Sequence, residues 1–177
     1  MTFEEWRKVI LKVEPRGKSW IVDGLADQME LLATKFGIDT ALRQQHFLAQ
    51  CAHESDHFQT TREYASGRAY EGRKDLGNTQ KGDGERFRGR GLVQLTGRFN
   101  YTKAAKELDD PTILSTPEVV ERFPLAATVS GWFWHINNIN QHADRDDVRA
   151  VTKVVNGGLN GLNSRIAALA AAKSGFA

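Results

Sequence analysis

Two stretches, HFLAQCAHESDHF at His46–Phe58 and GRGLVQLTGRFNY at Gly89–Tyr101, decide how this chain is read. The first has the period of a buried helix. Phe47, Cys51 and Glu54 fall at i, i+4 and i+7, so a carboxyl continues an apolar stripe. A helix over about residues 41–57 is expected, with Thr40 as its cap. A carboxyl at its end is expected to be partly desolvated, which favours the protonated acid; the plain alternative is a solvated glutamate at a fraying end. In the second stretch Gly89, Gly91 and Gly97 allow close backbone approach. Leu92 and Leu95 are expected in the core, leaving Gln94 and Thr96 to face a cleft. The pattern lacks both the GK[ST] ending of a P-loop and the GxGxxG spacing, so phosphate binding is set aside.

Between them, residues 59–86 lose the apolar period and carry Gly67, Gly72, Gly77, Gly82 and Gly84. A long loop inside a compact domain is commonly functional, with a short β-hairpin or a plain solvated insertion as the alternatives. Outside this core of the argument the chain reads as helical. Phe3, Trp6, Ile10 and Val13 predict a helix over 2–13. A second is predicted from about Gly24 to Phe36, stopped by Gly37. Tyr101, Ala104, Ala105 and Leu108 form one stripe. Leu125–Ile136 is apolar nearly all round and predicts a buried helix, with Trp132, Phe133 and Trp134 in the core or a cleft wall. Asp146 is expected to cap a helix carrying Val148, Val151 and Val155, and a last helix begins near Asn160.

The whole chain sets bounds. It has 177 residues, 40% hydrophobic and 26% charged, with a formal net charge of +2. That is ordinary for a globular domain and too weakly basic to argue for nucleic acid. One cysteine, Cys51, excludes an internal disulfide and a cysteine-rich zinc site. The acidic N-terminus is unlike a signal peptide, and nothing approaches the roughly 20 apolar residues of a membrane span. Synthesis and initial retention in a cytoplasm are expected, without stable membrane insertion.

Two chemistries compete at Glu54. His53-Glu54-Ser55-Asp56-His57 satisfies H-E-x-x-H, in which two histidines one turn apart hold zinc and the glutamate activates its water. The extended form of that motif fails, because Thr60 and Glu63 stand where glycine and a third histidine belong. The rival needs two carboxylates and no metal. Glu63 follows Glu54 by nine residues. On an unbroken helix the two would lie on opposite faces, about 13 Å apart along the axis. They cooperate only if the helix ends between them. Across a cleft of about 6.5–9.5 Å, Glu54 would protonate a leaving oxygen, Glu63 would deprotonate water, and the Thr96 hydroxyl would hold that water. Glu63 as a surface partner of Arg62 or Arg68 is the plain alternative.

The order FLAQCAHES, a glutamate nine residues on, GRGLVQLTGRFNY, then VVNGG and a later arginine resembles glycoside hydrolase family 19, which holds plant-type chitinases and many bacteriophage endolysins. The resemblance spans about residues 24–166 and is closest to the endolysin branch. It implies an all-α, lysozyme-like fold of about eight helices in two lobes around a groove. The chain would be one catalytic domain over 1–177, with a smaller mobile lobe at about 59–90. It also implies Glu54 as general acid, Glu63 as general base and Thr96 as water holder. Gln94, Asn100 and Tyr101 of the floor motif, with Asn156 and Arg165 across the cleft, would contact substrate. No cofactor or metal is implied. Ser55, Asp56 and His57 depart from the family's Thr-Gly-Gly. Arg68, Arg73, Lys74, Arg86, Arg88 and Arg90 crowd one end of the expected groove and favour an anionic polymer, or else pair with Asp83 and Glu85. The expected activity is hydrolysis of β-1,4 bonds in bacterial peptidoglycan by a monomeric endolysin, made in the host cytoplasm and acting on the wall after release. A chitinase, and less so a zinc peptidase, are the alternatives.

Overall fold

The computed structural model describes residues 1–176. It is mostly helical with almost no strand, and the all-α expectation holds. Helix α1 (Phe3–Val13) starts with a capping box: Thr2 accepts from the Glu5 amide, and the Glu5 carboxylate accepts from the Thr2 amide at 2.7 Å. Helix α2 spans Ser19–Phe36 and ends at left-handed Gly37. It therefore starts earlier than the predicted Gly24. That glycine is no stop signal; it makes room for a ring, since a Cβ there would lie 2.3 Å from Phe123.

Helix α3 (Ala41–Glu54) is the axis of the molecule. Every residue from Gln45 to Ala52 is buried, and α10 (Leu162–Gly175), α1, α8 (Asn140–Ala143) and α9 (Val148–Asn156) pack around it. Phe47 meets Trp134 edge-on, centroids 5.4 Å apart. Trp134 lies on α7 (Leu125–Ile136), which closes on α2 where Gly131 sits against Phe36 and Leu32. Trp132 and Trp134 are core residues, their indole N–H groups satisfied by Glu107 and Asn140. The remaining helices are the short α4 (Asp83–Arg86) and α6 (Thr112–Ser115), and α5 (Arg98–Glu107).

Helix α9 is capped by Asp147, whose carboxylate accepts from the Ala150 amide, and not by Asp146. Asp146 is left-handed and instead pairs with buried His46 and with Lys173. Residues 59–97 hold 3-10 turns at Arg68–Tyr70 and Lys74–Leu76 plus α4, with no hairpin among the described residues. Two isolated bridges, Arg62 to Arg90 and Arg90 to Leu95, tie the segment together.

Candidate active site

The helix carrying the first acid stops at that acid. The Ser55 hydroxyl donates to the Cys51 carbonyl at 2.6 Å and accepts from the Phe58 amide at 3.1 Å. Asp56, His57 and Phe58 then take φ of 50, 59 and 58°, three successive left-handed residues without a glycine. Left-handed backbone is unfavourable for side chains with a Cβ, least so for Asp, Asn and His. Burial of Phe58 and the His57–Glu14 hydrogen bond of 2.6 Å hold the turn. The predicted helix to residue 57 is thus corrected. Its early end frees the chain ahead of Glu63, whose neighbour Tyr64 hydrogen-bonds back to Asp56.

Glu54 is moored from within the core. Arg165, fully buried on α10, donates to Glu54 Oε1 at 2.5 Å and also to Gln50 Oε1. The Gln50 amide donates on to Thr152. Glu54 Oε2 makes no hydrogen bond to the protein among the described residues. Glu54 is half-buried, in keeping with a carboxyl that continues an apolar stripe, and it is ion-paired on a buried polar chain. Arg165 has no exposed surface, so its expected direct contact with substrate becomes the holding of Glu54.

Glu63 is moored by a loop. Its Oε1 accepts from the Tyr70 hydroxyl at 2.8 Å and its Oε2 from the Gly89 amide at 3.0 Å. Its own amide donates to the Gly89 carbonyl at 2.9 Å. Burial, and then the neighbouring Glu63, push the Tyr70 hydroxyl up to about 12, so it stays a donor across the physiological range. A Cβ at residue 89 would lie 2.7 Å from Gln94 Oε1 and 3.2 Å from Glu63 Oε2, so a side chain there would displace Gln94. The same figures put Gln94 beside Glu63. Glu63 is no surface partner of Arg62 or Arg68, which pair with Glu121 and Glu85.

The floor motif turns tightly. Arg90 and Leu95 exchange backbone hydrogen bonds of 3.1 and 2.7 Å around left-handed Gly91 and Gln94. Leu92 and Leu95 are buried, while Gln94 and Thr96 stay partly exposed. The Thr96 hydroxyl donates to the Gln94 carbonyl at 2.9 Å, and Asn100 donates to the Thr96 carbonyl at 2.8 Å. Tyr101 is a correction: it is fully buried, and its hydroxyl donates to the Arg88 carbonyl at 2.9 Å, so it supports the floor and cannot touch a ligand. Asn156 is exposed at the end of α9.

The two acid-bearing segments are joined directly. The Tyr64 hydroxyl, next to Glu63, donates to Asp56 Oδ2, two residues past Glu54, at 2.8 Å. Tyr64 and Tyr70 were not singled out in the sequence. The available signal was a pair of hydroxylated aromatics in a glycine-dotted polar loop just after an acid.

The zinc alternative loses its geometry. Because α3 ends before His57, the two imidazoles are not one turn apart on a helix. His53 Nδ1 meets Ser164 Oγ at 3.1 Å, whereas His57 Nδ1 meets Glu14. Among the described residues no three His, Cys, Asp or Glu side chains are grouped to hold a metal ion. The arginine run is also largely committed. Arg68 pairs with Glu85 and Arg73 with Asp75, Arg86 binds the Ser115 carbonyl, and buried Arg90 binds Glu121. The expected free basic end of the groove is corrected accordingly.

No family model matches the chain. It is 29% identical to a glycosyl hydrolase family 19 domain-containing protein of Haemophilus influenzae, over 87% of this chain and 88% of that protein. An endochitinase of Arabidopsis thaliana is 35% identical over 63% of this chain and 38% of its own length. Among solved structures, a bacterial family 19 chitinase superposes with a TM-score of 0.69 at 20% identity, covering 94% of this chain and 92% of that one. Chitinase C from Streptomyces griseus gives 0.70 at 21% identity, covering 94% and 74%. A class IV chitinase from Zea mays gives 0.62 at 19% identity, covering 92% and 82%. At these identities the superpositions carry the fold, here a lysozyme-like all-α fold; with the curated relative matched over most of its length and the motif order, they make this chain similar to glycoside hydrolase family 19 proteins over nearly its whole length.

Proposed function

We propose that this chain hydrolyses the β-1,4 glycan backbone of bacterial peptidoglycan with inversion, as a monomeric lytic enzyme made in a host bacterium and released onto its wall. The observation that carries the catalytic part is the unequal mooring of two carboxylates on segments joined by the Asp56–Tyr64 hydrogen bond. Glu54 is the general acid: Arg165 holds Oε1, and the unengaged Oε2 carries the proton to the leaving oxygen. Glu63 is the general base. Tyr70 and Gly89 each occupy one site on its carboxylate, leaving further lone pairs to take a proton from water. Thr96 and Gln94 border that water, and Asn100 and Asn156 contact the sugar. A water placed between acid and base attacks opposite the leaving group, which inverts the anomeric centre.

The motif resemblance to endolysins and the net charge of +2 support peptidoglycan, whose stem peptides carry carboxylates. One observation favours chitin instead: the arginine run is neutralised by its own neighbours. Mass spectrometry of products from purified sacculi, run beside chitin oligomers, separates the two. Muropeptides with new reducing ends, and no cleavage of chitin oligomers, are expected. The reverse pattern would replace peptidoglycan by chitin.

A further inference from the structure

A second cleft lies on the face formed by the start of α2, the segment before Glu63 and the chain ahead of α7. Its volume is about 410 Å³, and neither catalytic carboxylate lines it. Lys18, Arg62 and Arg122 border it, with Glu121 as the one acid. That acid is already taken. Its Oε1 accepts from the buried Arg90 Nε at 2.9 Å, and Arg62 approaches Oε2 only to 3.8 Å. Lys18 and Arg122 are exposed, and their side chains form no ion pair or hydrogen bond among the described residues. The cleft therefore has a surplus of uncommitted positive charge. Helix α2 adds to it, since its first turn has neither a side-chain cap nor an acid.

Trp20 forms the wall and is 48% exposed. It is held: its ring meets Phe123 edge-on, centroids 6.2 Å apart, and Phe123 is seated against Gly24. A fixed, exposed indole beside free cations suits a sugar ring that carries an anion, the ring stacking and the anion pairing. Thr61 ties the cleft to the catalytic loop: its hydroxyl donates to the Glu121 carbonyl at 2.7 Å, two residues before Glu63.

Resting on the peptidoglycan reading above, we propose that this cleft is a non-catalytic anchoring site for the carboxylate-bearing strands of the wall. Trp20 stacks on a sugar, and Lys18 and Arg122, the two uncommitted cations, pair with stem-peptide carboxylates. An anchor of this kind holds the enzyme on an insoluble polymer while the acid pair works on a neighbouring strand.

The test measures binding separately from cleavage. Glu54→Gln protein is sedimented with purified sacculi stripped of covalently attached phosphate polymers, at rising salt. Binding is expected to weaken with salt, to fall about tenfold in a Lys18→Glu/Arg122→Glu variant, and to fall similarly in Trp20→Ala. Removing stem peptides with an amidase is expected to weaken binding as well. The same substitutions in the active enzyme are expected to slow clearing of whole sacculi and leave turnover of soluble glycan oligomers unchanged. Undiminished binding by the charge-reversed variant would overturn the site. So would binding that vanishes once the phosphate polymers are stripped, or equal, equally charge-dependent binding to chitin beads. If Glu54→Gln protein binds in the expected way but the native enzyme releases no muropeptide, the catalytic reading fails and the anchor stands.

Discussion

The two carboxylates proposed as acid and base are held in opposite ways. Glu54 sits at the end of a helix whose residues 45–52 are all buried, and its partner is an internal guanidinium fixed by Gln50. Glu63 sits on irregular backbone and is fixed by one amide and one tyrosine hydroxyl, both from loops. The proposed proton donor thus inherits the rigidity of the core, whereas the proposed water activator is only as well placed as a loop with little regular structure. Loop segments of this kind are the usual place for binding and catalytic groups on a rigid scaffold. Aim at the donor end is set by packing, and aim at the water end by a few hydrogen bonds.

That contrast can be broken most severely at the acids. Glu54→Gln is expected to lower kcat by roughly 10³-fold or more while keeping the fold, and Glu63→Gln by roughly 10²-fold; steady-state assay on sacculi with parallel circular dichroism checks both. Unchanged wall clearing by either variant would remove it from the mechanism. Arg165→Ala comes next and acts on the core side. Breaking a buried pair by deleting one partner costs about 3–5 kcal/mol, so a lower urea midpoint is expected alongside lost activity. On the loop side Tyr70→Phe removes one hydrogen bond to a charged group, worth about 1.5–3 kcal/mol where it is formed. A kcat reduced about tenfold with little change in urea midpoint is expected, and an equal loss of stability would erase the distinction.

The mildest effect concerns pH. Burial lowers His46 from its ordinary 6.5, partly opposed by Asp146; burial and then Arg165 lower His53. Both lie on α3. A depressed folded value means that the unfolded chain takes up protons first as pH falls. The stability these groups contribute is therefore present above 6.5 and is lost as pH drops through that value toward their folded ones. Urea midpoints should decline as pH falls below about 6.5, and His46→Gln should flatten part of that decline.

Much of this was legible in the sequence, and the misses have physical causes. The apolar periods placed α1, α3 and α7, because burial of one face is what those residues do. The start of α2 was misplaced because Gly24 serves a neighbouring ring, a tertiary contact that no local signal reveals. The end of α3 was extended too far, since Asp56 and His57 carry no mark of their left-handed backbone. Glu63 and the floor motif were identifiable by spacing and resemblance. Tyr70 was not, because its value lies in where a loop of little regular structure delivers its hydroxyl. The arginine run misled for a complementary reason: composition counts charges but does not show that Arg68, Arg73 and Arg90 already have acids beside them.

The mirror-handed turn at Asp56–Phe58 offers a tuning point. Asparagine at 56 or glycine at 57 adopts those dihedrals with less steric penalty. Such swaps would relax the chain immediately beyond Glu54 without altering Glu54 or Glu63, while giving up the carboxylate that meets Tyr64 or the imidazole that meets Glu14. A protein engineer could therefore adjust the stiffness of the hinge point between helix and loop one residue at a time, leaving the chemistry where it is.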